Sequence, residues 1–233
     1  MTSNDYVILY TMNAISSVLK LANNKITVAL SGGIDSIACA FFLKTKFPKI
    51  NLTCRHFNHK LRPQNDDMEI MCRKFCHYAQ IPFSLGVRDT TIDTTIDTKP
   101  SEAALRELRY HSMRELGYVA TAHHIGDAVE NYLFNCLNGH PEYLPIPLYT
   151  VYTQDGYNLN IIRPFILNSK QDFRDYCEKN DLLQFVVEDE TNTDTKYRRN
   201  WLRNDIIPVV KNKGYNLETI VNKRYQKYIK ENF

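Results

Sequence analysis

The sequence predicts an α/β protein: a doubly wound parallel sheet followed by a short, mostly helical C-terminal extension. Short apolar, β-branched runs alternate with longer segments of helical periodicity between residues 25 and 137, and this pattern places helices on both faces of a parallel sheet. Polar clusters at residues 31–36, 56–62 and 123–130 each follow or end one of the predicted strands. Because ligands of such sheets bind beyond the carboxyl ends of the strands, the clusters indicate one shared binding site.

The first part of the chain divides into strands and helices by periodicity and by Gly and Pro breakers. Strands are expected at residues 25–30, 50–57, 82–87 and 118–122. Helices are expected from Asn4 or Asp5 to about Ala22 and at residues 34–46, 66–80, 101–116 and 126–137. The Thr- and Asp-rich stretch at 88–100 has no clear period and is expected to be a loop.

The pattern changes after Asn138, where three prolines interrupt it. A hairpin is expected at residues 149–162 around the Asp155-Gly156 turn. The elements expected after it are a helix at 169–180, a short strand at 183–187 and helices at 196–211 and 217–230.

Size, composition and charge are those of a globular protein. The chain has 233 residues, 43% of them hydrophobic, and a net charge of +3, which permits a nucleic-acid partner without requiring one. Residues 1–10 lack the features of a secretory signal, and no segment reaches the roughly 18 apolar residues of a membrane span. We therefore expect a cytoplasmic protein that does not bind membranes; its oligomeric state is left open, with a homodimer as one alternative.

The six cysteines include no C-x-x-C pair and are expected to be free thiols. Cys72 and Cys76 lie one helical turn apart, which leaves metal binding as an alternative. Their apolar, periodic segment favours buried hydrophobic side chains instead.

The segment SGGIDS follows the first predicted strand and precedes a predicted helix. Gly32 and Gly33 permit a tight turn and a close approach to a ligand, and the first amides of the helix favour phosphate. Ser31 and Ser36 add hydroxyl donors, while the carboxylate of Asp35 fits a phosphate site if Mg²⁺ lies between them. The segment predicts a nucleotide loop, with a simple capped turn as the alternative. It is not the GxxxxGKS/T loop, because no Lys follows the glycines.

Two pairs of charged residues lie three positions apart on predicted helices, so each pair shares one helix face. Asp127 and Glu130 could hold Mg²⁺ at the carboxyl edge of the sheet; a solvated acidic face is the alternative. Arg106 and Arg109 carry planar guanidinium groups that suit an α-phosphate or a base edge. Pairing with neighbouring glutamates is the alternative there, and we favour Arg106 for function.

Histidines and a basic cluster complete the polar residues of interest. His56, His59, His123 and His124 lack the acidic or thiolate partner of a zinc site, so we interpret them as polar lining for adenine or a base, with at least one purely structural. Basic residues around Trp201 suit phosphate contacts and base stacking; they are Lys196, Arg198, Arg199 and Arg203. A basic helix face around a buried Trp is the alternative.

The nucleotide loop resembles the SGGxDS loop of the N-type ATP pyrophosphatases, or PP-loop proteins, which split ATP between the α- and β-phosphates and adenylate a carbonyl oxygen. Four further segments resemble motifs of the tRNA(Ile)-lysidine synthetase family: HFNHKLR at 56–62, EAALRELRY at 102–110, TAHHIGDAVE at 121–130, and DETN at 189–192 with RNWLR at 199–203 and Pro208. The matches run in order from about residue 25 to 210. The family usually has Asp and Gln where this chain has Gly126 and Ala128.

The resemblance implies a Rossmann-like sheet of the adenine nucleotide alpha hydrolase type. It implies a PP-loop nucleotide-binding core at residues 1–140, a remaining part with the helical extension at 141–233, and absence of the further C-terminal tRNA-binding domains of longer relatives. The residues expected to bind ATP are Ser31, Gly32, Gly33, Ile34, Asp35, Ser36, His56 and His123. Those expected to bind Mg²⁺ are Asp35, Asp127 and Glu130, and those expected to act in catalysis are Asp35, Arg106, Asp127 and Glu130. Those expected to contact the tRNA are Arg109, Arg199, Asn200 and Arg203.

The activity implied by the resemblance is the joining of free L-lysine to the wobble cytidine of tRNA(Ile) with a CAU anticodon, through an adenylated cytidine. Three alternatives stay open. A thiolating tRNA enzyme would want a C-x-x-C pair, which the chain lacks. An amide-forming synthetase would not need the basic block at 199–203. A non-catalytic nucleotide- or tRNA-binding relative is the third, suggested by Gly126 and Ala128.

Overall fold

The computed structural model describes residues 22 to 88, 101 to 188 and 198 to 232, together with residues 16, 19 and 20. Six strands form one sheet in the order β3-β2-β1-β4-β6-β5; they are β1 (Lys25–Ala29), β2 (Asn51–Asn58), β3 (Phe83–Val87), β4 (Tyr118–Ala120), β5 (Tyr149–Gln154) and β6 (Tyr157–Ile162). All neighbours pair in parallel except β5, which is antiparallel to β6. The predicted fold class is confirmed.

The helices that follow the strands are α1 (Ile34–Lys46), α2 (Pro63–Ala79), α3 (Glu102–His111), α4 (Ile125–Leu137) and α5 (Lys170–Lys179). The C-terminal extension contains α6 (Arg198–Trp201), a π-helix (Leu202–Ile206), α7 (Ile207–Asn212) and α8 (Leu217–Asn232). Among the helices described, none combines the length and apolar composition that crossing a lipid bilayer requires.

The main core lies between β1 and the helices beside it. Ile26 and Val28 of β1 and Ile37 and Leu43 of α1 are completely buried. The two residues of β1 are β-branched, which suits a strand that is covered on both faces. This packing fixes the end of β1, and therefore the loop at residues 31–33, against the start of α1.

The hairpin belongs to the same sheet as the strands before it. β6 pairs in parallel with β4, through Val119 opposite Ile161, so the sheet continues across the division placed near residue 140. The extension packs on α4 through a second cluster that includes Val129 and Tyr225. The Tyr225 hydroxyl is buried and donates to the carbonyl of Ile146 at 2.7 Å. The division into two parts itself stays a prediction.

The strand expected at 183–187 is wrong. Leu183–Phe185 is a 3-10 turn, because Phe185 packs against the rings of Phe75 and Tyr78 (centroids 5.9 and 5.0 Å apart) rather than joining the sheet. The helix expected at 196–211 is interrupted by the π-helix before Pro208, whose missing N–H breaks the α-helical ladder. Most of the expected N-terminal helix, the 88–100 loop beyond residue 88, and the 189–192 block with Lys196 lie outside the described residues.

Candidate active site at the carboxyl edge of the sheet

The loop after β1 is shaped by its own serines. Gly32 has a φ of +89°, a conformation that favours glycine. The Ser36 hydroxyl donates to the carbonyl of Gly33 at 2.9 Å and accepts the backbone N–H of Ser31 at 3.1 Å, while the Gly33 N–H donates to Ser31 Oγ at 3.2 Å. The Gly32 carbonyl accepts from the N–H of Val187 at 3.0 Å, which anchors the loop to the chain after the 3-10 turn. The Ser36 hydroxyl hydrogen is thus used to build the loop.

Helix α1 begins with an open N-terminus. Its N-cap is Gly33, and no side chain of the residues described caps the first turn. The first amides of a helix carry partial positive charge and need acceptors. Ile34 and Asp35 are the first two residues of this turn, so the loop and the helix together offer a phosphate a set of backbone donors.

Asp35 places a carboxylate beside this phosphate-binding position. Its Oδ1 is buried and has no hydrogen-bond partner among the residues that the structure describes. Burial raises the pKa of Asp35, and the charge of Lys170 opposes that shift, while the neighbouring Asp127 adds to it. A buried carboxylate oxygen without a donor fits a cation ligand, and Mg²⁺ prefers one or two carboxylates together with phosphate oxygens and waters.

The TAHH segment connects β4 to α4 and contains histidines of two kinds. His124 is the N-cap of α4: its Nδ1 accepts the N–H of Gly126 at 2.9 Å, and its own N–H donates to Asp127 Oδ2 at 2.9 Å. It is therefore structural. His123 Nδ1 lies 2.9 Å from Thr121 Oγ1. Burial lowers the pKa of His123 to about 3, although Asp127 raises it, so its ring is neutral at physiological pH.

Gly126 and Ala128, which depart from the resembled motif, have clear structural settings. A Cβ at Gly126 would lie 2.7 Å from Cε1 and 2.9 Å from Nδ1 of His124. The ring can fold over the helix start only because residue 126 lacks a side chain. Ala128 is completely buried and belongs to the cluster with Ile166 and Val221. Its side chain therefore packs in the core under α4.

Replacing Gly126 with Ala is expected to expel the His124 ring and lower stability by about 1 kcal/mol, the usual cost of a lost N-cap. Urea denaturation would measure the change. The control is the same substitution in a His124→Ala background, where no ring opposes the new Cβ and the change should cost nothing. An equal loss in both backgrounds would contradict this account of Gly126.

Glu130 and Asp127 both meet Arg203, a residue predicted to contact tRNA. Glu130 is only 4% exposed, and its Oε1 accepts from Arg203 Nε at 2.5 Å. Arg203 Nη2 lies 3.7 Å from Asp127 Oδ1. Burial raises the pKa of Glu130, and the hydrogen bond from Arg203 opposes that shift. Arg203 is carried by the π-helix, a local widening that often marks functional positions.

The three carboxylates expected at Mg²⁺ therefore have different settings. Within the part of the chain that the structure describes, no group of three or more His, Cys, Asp or Glu side chains is arranged to hold a metal ion. Glu130 is engaged by Arg203, whereas Asp127 lies close enough to Asp35 to contribute to the raised pKa of that carboxyl. Metal binding by Asp35, Asp127 and Glu130 stays a prediction, best supported for Asp35 and Asp127.

The arginines beside His123 make this region electropositive. Arg106 lies 5.1 Å above the Tyr110 ring and Arg109 lies 5.8 Å from the same ring. Arg163, which the sequence did not single out, is 3% exposed. Its Nη1 donates to the carbonyl of Pro147 at 2.7 Å, while its Nε is buried and has no hydrogen-bond partner within the described ranges. The signal that could have identified it is an Arg-Pro pair directly after the predicted hairpin.

The remaining predicted site residues lie on β2, directly after β2 and on α6. His56 on β2 is 4% exposed, and its Nδ1 lies 2.8 Å from the carbonyl of Leu30. Burial lowers the pKa of His59 to about 4. Arg199 and Asn200 lie on α6, which is short and next to the π-helix. The six cysteines are free and, except for Cys136, buried, as expected for Cys72 and Cys76.

Comparisons with known proteins agree with this architecture. The tRNA(Ile)-lysidine synthase of Neisseria gonorrhoeae (strain ATCC 700825 / FA 1090) is 33% identical over 218 residues, which cover 85% of this chain and 45% of that protein. The enzyme of the same name from Actinobacillus pleuropneumoniae serotype 3 (strain JL03) is 31% identical over 201 residues, covering 83% of this chain and 45% of that protein. The chain spans less than half the length of these curated relatives.

Solved structures share the fold at low sequence identity. The U34-tRNA thiolase NcsA from Methanococcus maripaludis aligns with a TM-score of 0.65 at 15% identity, covering 88% of this chain and 72% of that one. The NMN synthetase from Francisella tularensis aligns with a TM-score of 0.52 at 12% identity, covering 81% and 75%. A family profile described as a PP-loop domain matches residues 9–210, which is most of the chain. The chain therefore belongs to the PP-loop domain family.

Proposed function

We propose that this chain is an ATP-using, tRNA-modifying ligase that joins free L-lysine to C2 of the wobble cytidine of tRNA(Ile) with a CAU anticodon. The observation that carries the proposal is the buried Oδ1 of Asp35 at the N-terminus of α1, where neither that oxygen nor the helix end has a side-chain partner among the described residues. This arrangement suits a nucleotide triphosphate with a cation. The similarity to proteins named tRNA(Ile)-lysidine synthase supports the choice of tRNA and lysine.

The proposed reaction has two steps. In the first, the C2 carbonyl oxygen of the cytidine attacks the α-phosphorus of ATP, the bond from that phosphorus to the bridging oxygen breaks, and pyrophosphate leaves. In the second, the neutral ε-amine of lysine attacks C2, and the bond from C2 to the adenylated oxygen breaks. AMP leaves with that oxygen, and the lysine nitrogen loses a proton to water. Both steps depend on positioning and on stabilisation of negative charge.

The chain's own groups have distinct roles in this proposal. The loop from Ser31 to Ser36 and the first amides of α1 bind the phosphates. Arg106 adds positive charge near the reacting phosphate, and His123, whose ring is neutral because of its low pKa, can accept a hydrogen bond. Asp35 and Asp127 would hold Mg²⁺, which when bound supplies positive charge to neutralise the phosphates.

The tRNA contacts proposed for Arg109, Arg199 and Asn200 come from the motif resemblance, and the charges of Arg109 and Arg199, which act on His123 and Glu130, support them. Phosphate contacts fix the register of a bound nucleic acid and carry no sequence information themselves. Arg203 contributes differently from the expectation, because its guanidinium holds Glu130. Glu130 could bind a cation only when Arg203 releases it.

The test uses the purified chain with ATP, Mg²⁺, labelled lysine and a tRNA(Ile) transcript that carries a CAU anticodon. The expected result is lysine incorporation with one pyrophosphate released per lysine. A transcript with a CAC anticodon and reactions with labelled ornithine are the specificity controls. tRNA-dependent pyrophosphate release without lysine incorporation would contradict the lysine assignment but keep an adenylating enzyme.

A non-catalytic, tRNA-binding relative is the second candidate. The observation that favours it is the ion pair of Arg203 with Glu130, which occupies a carboxylate expected in catalysis. Tight tRNA binding with neither pyrophosphate release nor lysine incorporation would establish this candidate and overturn the ligase.

A further inference from the structure

A cavity lies at the C-terminal end of α4, apart from the residues that surround Asp35. Its volume is about 390 Å³, and it is lined by Phe134, Leu137, Asn138, Arg198, Trp201 and Leu202. Leu137 is 66% exposed and Trp201 39% exposed. Large apolar side chains that stay exposed side by side commonly mark a binding surface.

The chemistry of the lining selects for a flat, apolar, uncharged group next to a negative charge. Phe134 and Trp201 supply aromatic rings, and Arg198 supplies a cation; among the residues that the structure describes, the lining includes no carboxylate. Asn138 Nδ2 donates to the carbonyl of Phe134 at 2.7 Å, which fixes its side chain at the helix end. A nucleobase attached to a phosphodiester has this combination of a stacking face and an anion.

The cavity is connected to the candidate active site by two shared elements. Helix α4 carries Glu130 near its start and Leu137 at its end, seven residues later, which is about 10 Å along a helix axis. On the other side, Trp201 is followed two residues later by Arg203, which contacts Glu130. The cavity is therefore close enough to the candidate active site for neighbouring nucleotides of one RNA strand to occupy both.

We propose that this cavity binds an unpaired base of a single-stranded RNA segment, one that neighbours the nucleotide held at the carboxyl edge of the sheet. The base stacks on the Trp201 indole, its edge contacts Phe134 and Leu137, and Arg198 contacts the adjoining phosphate. Stacking on an aromatic ring is tolerant of base identity, so the cavity holds the RNA in place and does not read its sequence. The inference rests on the proposed function, because it takes the RNA from that proposal.

Trp201 is the only tryptophan of the chain, so its fluorescence reports on this cavity alone. The experiment titrates the full chain with a seven-nucleotide RNA of the anticodon-loop sequence, without ATP or lysine. We expect saturable quenching of Trp201 emission. A series of RNAs with one abasic position each should contain one member, flanking the target cytidine, that loses the quenching and binds about tenfold more weakly.

Charge placed in the cavity gives a second readout that does not depend on fluorescence. Leu137→Glu should weaken binding of an end-labelled RNA at least about tenfold by anisotropy, because the carboxylate repels the adjoining phosphate. The matched control is Leu183→Glu, a leucine of similar type that is 40% exposed and lies outside the cavity. It should bind RNA as the unaltered chain does.

Three outcomes would overturn the inference. RNA binding without quenching excludes contact with Trp201, and equal quenching by every abasic RNA shows phosphate contact without a stacked base. Quenching by an apolar peptide but not by RNA assigns the cavity to a protein partner. Failure of the proposed function would look different. If quenching depends on the abasic position but no lysine is incorporated, base binding in the cavity is supported and only the proposed ligase activity is contradicted.

Discussion

Replacing Asp35 with Asn is expected to lower the ATP-dependent activity at least about 100-fold, the scale of losing one group that stabilises a developing charge, while making the ligand-free chain more stable. Asp35 Oδ1 is buried and receives no hydrogen bond from the described part of the chain, and burial raises the pKa of this carboxyl. A buried, unsatisfied charge costs free energy unless a cation is bound. Asp35 therefore favours binding of the cation but lowers the stability of the ligand-free chain.

The gain in stability should depend on pH. Because the pKa of Asp35 is higher in the folded chain than in the unfolded chain, folding favours the protonated form, and no penalty exists below both values. The penalty appears as the pH rises through the folded pKa. At pH 7 we expect Asp35→Asn to raise the free energy of unfolding by roughly 1–2 kcal/mol, the scale of an unsatisfied buried polar group, and the difference should vanish in acid.

Urea denaturation across this pH range measures the stability, and pyrophosphate release measures the activity. Asp175→Asn is the matched control, since Asp175 is an exposed carboxylate on α5 and should change neither quantity. A variant at Asp35 that is less stable than the unaltered chain at pH 7, or that keeps its activity, would remove the assigned role.

Removing Arg203 is expected to produce the largest loss of stability among single substitutions near the site. Glu130 is 4% exposed, so Arg203→Met would leave a carboxylate buried without its cation. Breaking a buried ion pair from one side costs about 3–5 kcal/mol; we expect about 3 here, because the Arg203 side chain is itself 36% exposed. The loss should shrink in acid, where Glu130 takes up a proton, since burial already raises its pKa.

A double-mutant cycle separates the pair from its surroundings. Glu130→Met should cost only about 1 kcal/mol, since the partly exposed guanidinium regains water, and the double variant should be more stable than Arg203→Met alone. Arg73→Met is the control: Arg73 pairs with Glu69 at 3.0 Å but is 51% exposed, so its loss should cost less than about 0.5 kcal/mol. Strictly additive losses at Arg203 and Glu130 would contradict a coupled pair.

The parts of the fold that follow from short-range pattern were predictable. The β-branched run ending at Ala29 and the apolar period of α1 specify their own burial, and the glycine pair after β1 specifies a turn. The segment at 183–187 misled because its apolar residues suit a strand as well as a turn. Phe185 is buried through the rings of Phe75 and Tyr78, which no local pattern reveals.

The candidate site also combines features that the sequence predicts with features that it does not. Asp35 and Asp127 were recognisable from their places after β1 and β4, because parallel strands present their carboxyl ends at one edge. The contact of Arg203 with Glu130 joins residues 73 positions apart, and the space that Gly126 leaves for the His124 ring depends on a side-chain conformation. Neither relation is encoded in spacing, so both needed the three-dimensional structure.

The position of β4 between β1 and β6 has a consequence for how the chain reaches its native state. β4 has three residues, and its neighbours in the sheet come from far before it and from some forty residues after it. During synthesis, Val119 and Ala120 would lie along a bare sheet edge until β6 is made, and such edges invite wrong pairing. Because β4 leads directly into His123 and α4, we expect the nucleotide site to assemble only after the hairpin has emerged from the ribosome.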